Sequence, residues 1–161
     1  MHLTTFADLG LRILMTLGDL QPGQRLTISD LATRINGSAN HVAKVNARLV
    51  DLGWVAAVRG RNGGVYLAEG TRQASVGHIL RQLEGPGEVV DCGGSQGCPL
   101  AVRDCALRGR LAAAREAFFA ELDQDTIGEL IAHTAPAHSG GNTARQPLGL
   151  PHVPRRSGVT K

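Results

Sequence analysis

Three cysteines close together in the chain have the residue type needed to bind a metal. They are Cys92, Cys98 and Cys105, separated by five and six residues. Zinc sites usually bring cysteines in pairs roughly two to four residues apart, and no such pair exists here. Glycine is frequent around these cysteines, whereas buried structural cysteine usually sits in an apolar periodic segment. Ferredoxin spacings are also absent, but three thiolates within fourteen residues of a glycine-rich loop favour a metal centre over inert thiols, with zinc the less favoured metal.

Three thiolates leave an iron–sulfur cluster one ligand short. The missing ligand can be a histidine, a carboxylate or a small molecule, and the protein candidates are Asp8, His78 and His133. Asp8 is expected on a helix, one turn before Arg12, where an intrahelical ion pair is an ordinary role for it. The residues alone leave the choice of ligand open.

A second group of side chains is typical of proteins that read DNA. Ser38 is a good N-cap for a helix whose exposed positions mix base-reading and phosphate-contacting types. Those positions are Ala39, Asn40, His41, Lys44, Asn46 and Arg48. A glycine-rich turn further along carries Arg59, Arg61 and Asn62, whose side chains can reach a neighbouring minor groove or its phosphates. The predicted DNA contacts among them are Ser38, Asn40, His41, Lys44, Arg48, Arg59, Arg61 and Asn62.

Apolar periodicity and capping residues predict the elements that position both groups. Six helices are expected, at about 4–20, 27–36, 38–53, 75–83, 106–122 and 125–132. Two short β-rich runs, 54–58 and 65–68, are joined by a turn that contains Asn-Gly, which is a strong hairpin signal. The helix at 106–122 carries a near-heptad apolar seam that is long enough to pair with a partner helix.

This order of elements predicts a mainly α fold, a winged helix-turn-helix with a two-stranded β wing and a long dimerisation helix. The expected DNA-binding domain is 1–84, and the cysteine-rich, cluster-binding loop is 85–105. The dimerisation helix and a C-terminal helix occupy 106–133. Residues 134–161 are expected to be a disordered tail, because they are rich in Pro, Gly, Ser and Thr.

Charge is distributed unevenly along the chain. The net charge of +3 arises in the tail, since residues 134–161 hold four bases and no acid. Residues 38–72 hold five bases against two acids, whereas residues 84–129 hold nine acids against four arginines. One part of the protein therefore attracts phosphate and another repels it, as expected of a DNA-binding module.

Several classes of protein are disfavoured by what the chain lacks. No apolar run is long enough to span a membrane, and the N-terminus does not resemble a signal peptide, so a cytoplasmic protein with no membrane partner is expected. No phosphate loop, nucleophile–base pair or cofactor fingerprint points to an enzyme.

Several stretches resemble the Rrf2 family of bacterial winged-helix regulators. They are LTTFADLGLR at 3–12, NHVAK at 40–44 and VRGRNGG at 58–64. Within that family, the nitric-oxide-sensing repressors are similar in further stretches: RQLE at 81–84, VVDC at 89–92, CPL at 98–100 and AFFAELD at 117–123. The resemblance covers about residues 1–133.

The resemblance implies a homodimer that represses genes for nitric oxide detoxification and binds a palindromic double-stranded operator. Cys92, Cys98 and Cys105 would bind a 4Fe–4S cluster, with 2Fe–2S as the alternative, and Asp8 of the partner subunit would be the fourth ligand. Nitric oxide would be the signal that releases DNA. The gap of six residues before Cys105 departs from the more usual five, so the loop at 102–104 is expected to differ.

Two other kinds of regulator remain open. A 2Fe–2S regulator of iron or cluster status would respond to iron supply, but the sister proteins with that role have a histidine shortly after the third cysteine. Here Cys105 is followed by Ala106, Leu107 and Arg108. A metal-free thiol-redox repressor would instead oxidise its cysteines to a disulfide and would be colourless.

Overall fold

A computed structural model describes residues 2–61, 63–90, 92, 98–100 and 105–134. The elements, in chain order, are α1 (Thr5–Gly18), α2 (Ile28–Arg34), α3 (Ala39–Asp51), β1 (Val55–Val58), β2 (Gly64–Leu67), a 3-10 turn (Thr71–Gln73), α4 (Val76–Glu84), α5 (Ala106–Leu122) and α6 (Ile127–His133). The predictions for Asn62, for most of the loop at 93–104 and for the tail from residue 135 onward lie outside the described residues.

Most of these helices begin at a hydroxyl side chain, as the sequence predicts. The side chain of the N-cap residue accepts a hydrogen bond from a backbone N–H three residues later, which satisfies a donor that the helix itself leaves free. The capping residues are Thr4, Thr27, Ser38, Ser75 and Thr126. At α6 the carboxylate of Glu129 also accepts from the Thr126 N–H, completing a capping box.

Helix α1 is the centre of the hydrophobic core, with α2, α3, α4, α6 and β2 packed around it. Ala7, Ile13 and Leu14 on α1 are fully buried. The packing against α4 is close, because a Cβ atom at Gly10 would lie only 2.5 Å from Leu83 Cδ1. A change in the position of α1 would therefore disturb its neighbours, since packed side chains leave little free space.

The predicted hairpin is present, with β1 and β2 antiparallel and Val55 opposite Leu67. Between the strands Gly60 has a φ of 112°, which favours glycine. Leu26 joins the outer side of β2 through two backbone hydrogen bonds with Val65, at 2.8 and 3.1 Å. This extra pairing holds the wing against the turn that precedes α2.

Helix α5 has the bounds predicted for the long helix and packs against α4. Phe119 is its buried anchor, and the guanidinium groups of Arg81 and Arg115 lie 5.2 and 4.8 Å from the centre of the Phe119 ring. Toward the start of α5, Leu107 is 62% exposed. Among the described helices, none is long and apolar enough to cross a membrane.

Candidate DNA-binding surface and cysteine site

The exposed side of α3 presents the predicted base-reading and phosphate-contacting residues together. Ser38 is the N-cap, and its hydroxyl accepts a hydrogen bond from the His41 N–H at 3.3 Å. Asn40, His41, Lys44 and Arg48 are all exposed. At about 100° per residue, these four side chains fall within an arc of about 100° on the helix. The structure therefore places them on one surface, as a helix that reads a major groove requires.

Asn46 is the exception, and its predicted exposure is wrong. The residue is only 7% exposed, and within the described part of the chain its Oδ1 has no hydrogen-bond partner. Asn46 lies four residues after Val42 and three before Leu49, both fully buried, so helical periodicity places it on the core side. The sequence prediction followed side-chain polarity, whereas the position on the helix decides burial.

The wing presents the two predicted arginines. Arg59 and Arg61 are exposed on either side of Gly60. Sequence reasoning missed a third base beside them: Arg25, which is exposed and lies 5.7 Å from the centre of the Tyr66 ring on β2. The pairing of Leu26 with β2 brings Arg25 to the wing, and no local sequence signal announces that pairing.

A cavity of about 210 Å³ separates the start of α1 from α3. It is lined by Thr5, Phe6 and Leu9 on α1 and by His41, Lys44 and Val45 on α3. Two of the predicted DNA contacts, His41 and Lys44, thus share this cavity with the start of α1.

The three cysteines are free thiols, and each is half-buried. The Cys98 N–H donates to the Cys92 carbonyl at 3.3 Å, and Cys105 is the residue from which α5 begins. Desolvation raises the pKa of the Cys92 thiol, and the negative charges of Glu88, Cys98 and Cys105 raise it further. The cysteines therefore lie near one another, although within the described ranges no three His, Cys, Asp or Glu side chains are placed to hold a metal ion.

Glu88 and Arg108 are part of this site and were missed by sequence reasoning. Arg108 Nε lies 3.0 and 2.9 Å from the two carboxylate oxygens of Glu88. This pairing lowers the pKa of Glu88, and a hydrogen bond with the Cys92 thiol lowers it further. The signal that could have identified them is a carboxylate four residues before one cysteine and an arginine three residues after another.

The three candidates for a fourth ligand lie apart from the thiols of their own chain. Asp8 pairs with Arg12, with Oδ2 2.8 Å from Arg12 Nη2 and Oδ1 3.0 Å from Arg12 Nε. The His78 ring meets the edge of Trp54 at 5.8 Å, and His133 is at the end of α6. Within a single chain, Asp8 therefore makes the intrahelical ion pair with Arg12 that the sequence suggests.

A helix-turn-helix of α2 and α3, followed by a basic two-stranded wing, defines a DNA-binding regulator of the winged-helix class. The model of the family Rrf2, described as an iron-dependent transcriptional regulator, matches residues 3–133. The chain belongs to the Rrf2 family of transcriptional regulators, which confirms the resemblance noted in the sequence.

Individual relatives agree with this assignment. The chain is 45% identical over 133 residues to the HTH-type transcriptional repressor NsrR of Streptomyces coelicolor, a match that spans 82% of this chain and 89% of that protein. The solved structure of CymR, the global cysteine regulator of B. subtilis, has 25% identity and a TM-score of 0.64, covering 83% of this chain and 98% of CymR. IscR of T. potens has 21% identity and a TM-score of 0.64, covering 84% and 93% of the two chains, and shows the fold alone. The predicted mainly α, winged-helix fold class is confirmed.

Proposed function

We propose that this protein is a homodimeric repressor whose DNA binding is controlled by nitric oxide through an iron–sulfur cluster. The observation that carries the proposal is the set of three half-buried free thiols, Cys92, Cys98 and Cys105, in a chain that has a winged-helix DNA-binding surface. Sequence identity to a relative named as a transcriptional repressor supports the direction of control. The regulated genes would then be those for nitric oxide detoxification, as the sequence resemblance implies.

The donor set fits such a cluster. Thiolate sulfur is the ligand that iron–sulfur clusters take in proteins, and this chain offers three free, half-buried thiols. They would bind a 4Fe–4S cluster, with 2Fe–2S as the alternative, and Asp8 of the partner subunit would complete the ligand set. When bound, the cluster supplies iron that combines with nitric oxide.

Asp8 is available as a cluster ligand because its present ion pair with Arg12 is weak. Its ion pair with Arg12 has side chains that are 43% and 54% exposed, and water screens charges at such a site. An exposed pair of this spacing on a helix typically contributes about 0.3–0.5 kcal/mol. A carboxylate oxygen is also a harder donor than thiolate and a poorer match for cluster iron. Asp8 can therefore exchange readily between Arg12 and a ligand position in the partner subunit.

A second copy of the chain is the proposed occupant of the apolar seam on α5. Leu107 is largely exposed, and Leu111 and Phe118 are half-buried at the spacing expected of a helix seam. A twofold dimer presents two recognition helices, so its operator is palindromic, with half-sites about 34 Å apart. The exposed side of α3 would enter the major groove, while Arg25, Arg59, Arg61 and Asn62 would contact the flanking backbone or minor groove.

The deciding experiment uses full-length protein purified without oxygen. Visible absorbance and native mass report the cluster and the dimer, and fluorescence anisotropy reports DNA binding as nitric oxide is added. We expect a coloured dimer that loses its DNA during the titration. Asp8→Ala should lose most of that response, whereas Asp19→Ala, which removes an exposed acid at the other end of α1, should keep it.

Three outcomes would count against the proposal. A protein that stays colourless after cluster reconstitution yet binds DNA would favour the metal-free thiol-redox repressor. A coloured protein that ignores nitric oxide but changes its DNA affinity with iron supply would favour the 2Fe–2S status regulator. A normal response in Asp8→Ala would exclude Asp8 as the fourth ligand.

A further inference from the structure

Glu84 connects the first helix to the segment that leads into the cysteine site. The Thr4 backbone N–H donates to Glu84 Oε1 at 2.8 Å, and the Thr4 hydroxyl donates to the same oxygen at 3.2 Å. Thr4 is the N-cap of α1, and Glu84 is the last residue of α4. The contact joins residues 80 positions apart in sequence. Neither the DNA contacts nor the proposed cluster ligands account for it.

On the loop side, Glu84 lies at the start of a segment that is held in place up to the first cysteine. Arg115 Nη2 donates to the Gly85 carbonyl at 2.8 Å, which ties the first loop residue to α5. Glu88, four residues before Cys92, is held by Arg108. A displacement of Cys92 would therefore act on a stretch that is held at Glu88 and at Gly85, next to Glu84.

On the helix side, the start of α1 lies directly behind the recognition helix. Phe6 and Leu9 face His41 and Lys44 across the cavity between α1 and α3. One turn further along, the close contact between Gly10 and Leu83 leaves α1 little freedom to move independently of α4. A shift at the start of α1 would therefore alter the support of two DNA-contacting side chains.

The hydrogen bonds between Glu84 and Thr4 can break and form again. The Glu84 carboxylate lies at the N-terminal end of α1, where the helix dipole favours negative charge. Its side chain is only half-buried, so water can replace Thr4 as its hydrogen-bond partner when α4 moves. A change of this kind is local, but it can bias two arrangements of a packed element.

We infer that Glu84 is a positioning residue that, through Thr4, couples the cysteine loop to the recognition helix within one subunit. The inference rests on the proposed function, because it names the intrachain route by which the state of the cysteine site reaches the DNA. It is separate from the link made by Asp8, which would join one subunit to its partner.

The first test measures coupling as a ratio of DNA dissociation constants, after nitric oxide over before. In Glu84→Ala we expect this ratio to fall about tenfold relative to wild type, since allosteric couplings typically span 5–150-fold. Glu84→Asp keeps the charge, but its side chain is one methylene too short to reach Thr4, so it should behave like Glu84→Ala. This variant replaces Glu84→Ala in the test if the alanine variant does not fold. Glu84→Gln keeps an acceptor oxygen and should retain most of the wild-type ratio.

Controls separate coupling from loss of structure or of the cluster. Glu69→Ala removes an exposed acid outside the contact and should leave the ratio unchanged. The visible spectrum and the thermal midpoint of each variant show whether the cluster and the fold are intact. A folded, cluster-bearing Glu84→Ala protein that responds to nitric oxide as the wild type does would overturn the inference.

The second test needs neither a cluster nor nitric oxide. In the cluster-free full chain, Glu88→Ala perturbs the loop, and the amide NMR shifts of Phe6 and Lys44 report the response. We expect these shifts to move when Glu84 is present and to stay in place in the Glu84→Ala background. Equal movement in both backgrounds would refute the coupling, whereas a wild-type protein that ignores nitric oxide would refute only the proposed function.

Discussion

At the scale of single residues, Asn46 and Asn40 show why the same side chain can have two roles on one helix. Asn40 lies on the exposed side of α3, where an amide can make paired hydrogen bonds with adenine. Asn46 lies on the core side, with an Oδ1 atom that finds no partner within the described part of the chain. A buried polar atom without a hydrogen bond opposes folding, so Asn46 lowers stability where Asn40 is available for binding.

Replacing Asn46 by leucine should therefore raise the free energy of unfolding. Removing the unpaired oxygen and adding apolar surface of similar shape is expected to contribute about 1 kcal/mol. Asn40→Leu is the matched control: it should leave stability nearly unchanged and weaken specific DNA binding. Urea denaturation followed by circular dichroism measures the first effect, and anisotropy with operator DNA measures the second. A loss of DNA binding in Asn46→Leu alone would show that the buried amide has a functional role.

At the scale of elements, the contact between α4 and α5 depends on the small size of Gly77. A Cβ atom at that position would lie 2.2 Å from the Phe119 carbonyl oxygen and 2.5 Å from Asp123 Oδ1. The two backbones approach so closely that Phe119 is completely buried between them. The bounds of α5 were predicted from its own periodicity, but the glycine that lets α4 approach was not.

Gly77→Ala should destabilise the protein by about 1–3 kcal/mol, because the backbone of α5 must shift to admit one methyl group. Gly109 offers the opposite case within α5, since a Cβ there has no neighbour within 4 Å among the residues that the structure describes. Gly109→Ala should instead stabilise the protein by up to about 1 kcal/mol through helix propensity. Thermal unfolding of Gly77→Ala and Gly109→Ala measures both effects. Similar effects of the two substitutions would contradict the close packing of α4 against α5 at Gly77.

Asp123 also joins α5 to α4, through the Ser75 hydroxyl and through Arg81 at 2.7 Å. The hydrogen bond from the Ser75 hydroxyl has the larger effect and the one from Arg81 the next largest, and both lower the pKa of Asp123 below its ordinary value of 3.8. A carboxyl group with a lowered folded-state pKa stabilises the fold above its unfolded pKa, and the contribution is lost as pH falls further. Asp123→Asn should therefore lessen the loss of thermal stability below about pH 4. An unchanged pH profile would show that the pair contributes nothing to stability.

At the scale of the whole molecule, two surfaces of different character lie at different places on the fold. The helix-turn-helix and wing carry exposed bases, whereas residues 84–129 taken together hold nine acids against four arginines. Electrostatic attraction would thus orient the protein with α3 toward DNA.

Leu107→Glu should weaken the proposed dimer by about a hundredfold. In a twofold interface both copies lose an apolar contact, each worth about 1.5 kcal/mol or more. Ala113→Glu introduces the same side chain at an exposed position on the far side of α5 and should leave assembly unchanged. Sedimentation velocity over a range of concentrations distinguishes the two variants. Equal weakening by both would show that net charge, rather than the seam, governs assembly.

The amino-acid sequence by itself determined the local elements: the caps at Ser38 and Ser75, the hairpin, and the bounds of α5. These depend on interactions within a few residues, which composition and spacing reveal. Only the tertiary structure decided that Arg25 reaches the wing and that Glu84 meets Thr4. Each of these results joins segments far apart in the chain, and which distant segments meet depends on the packing of the whole core.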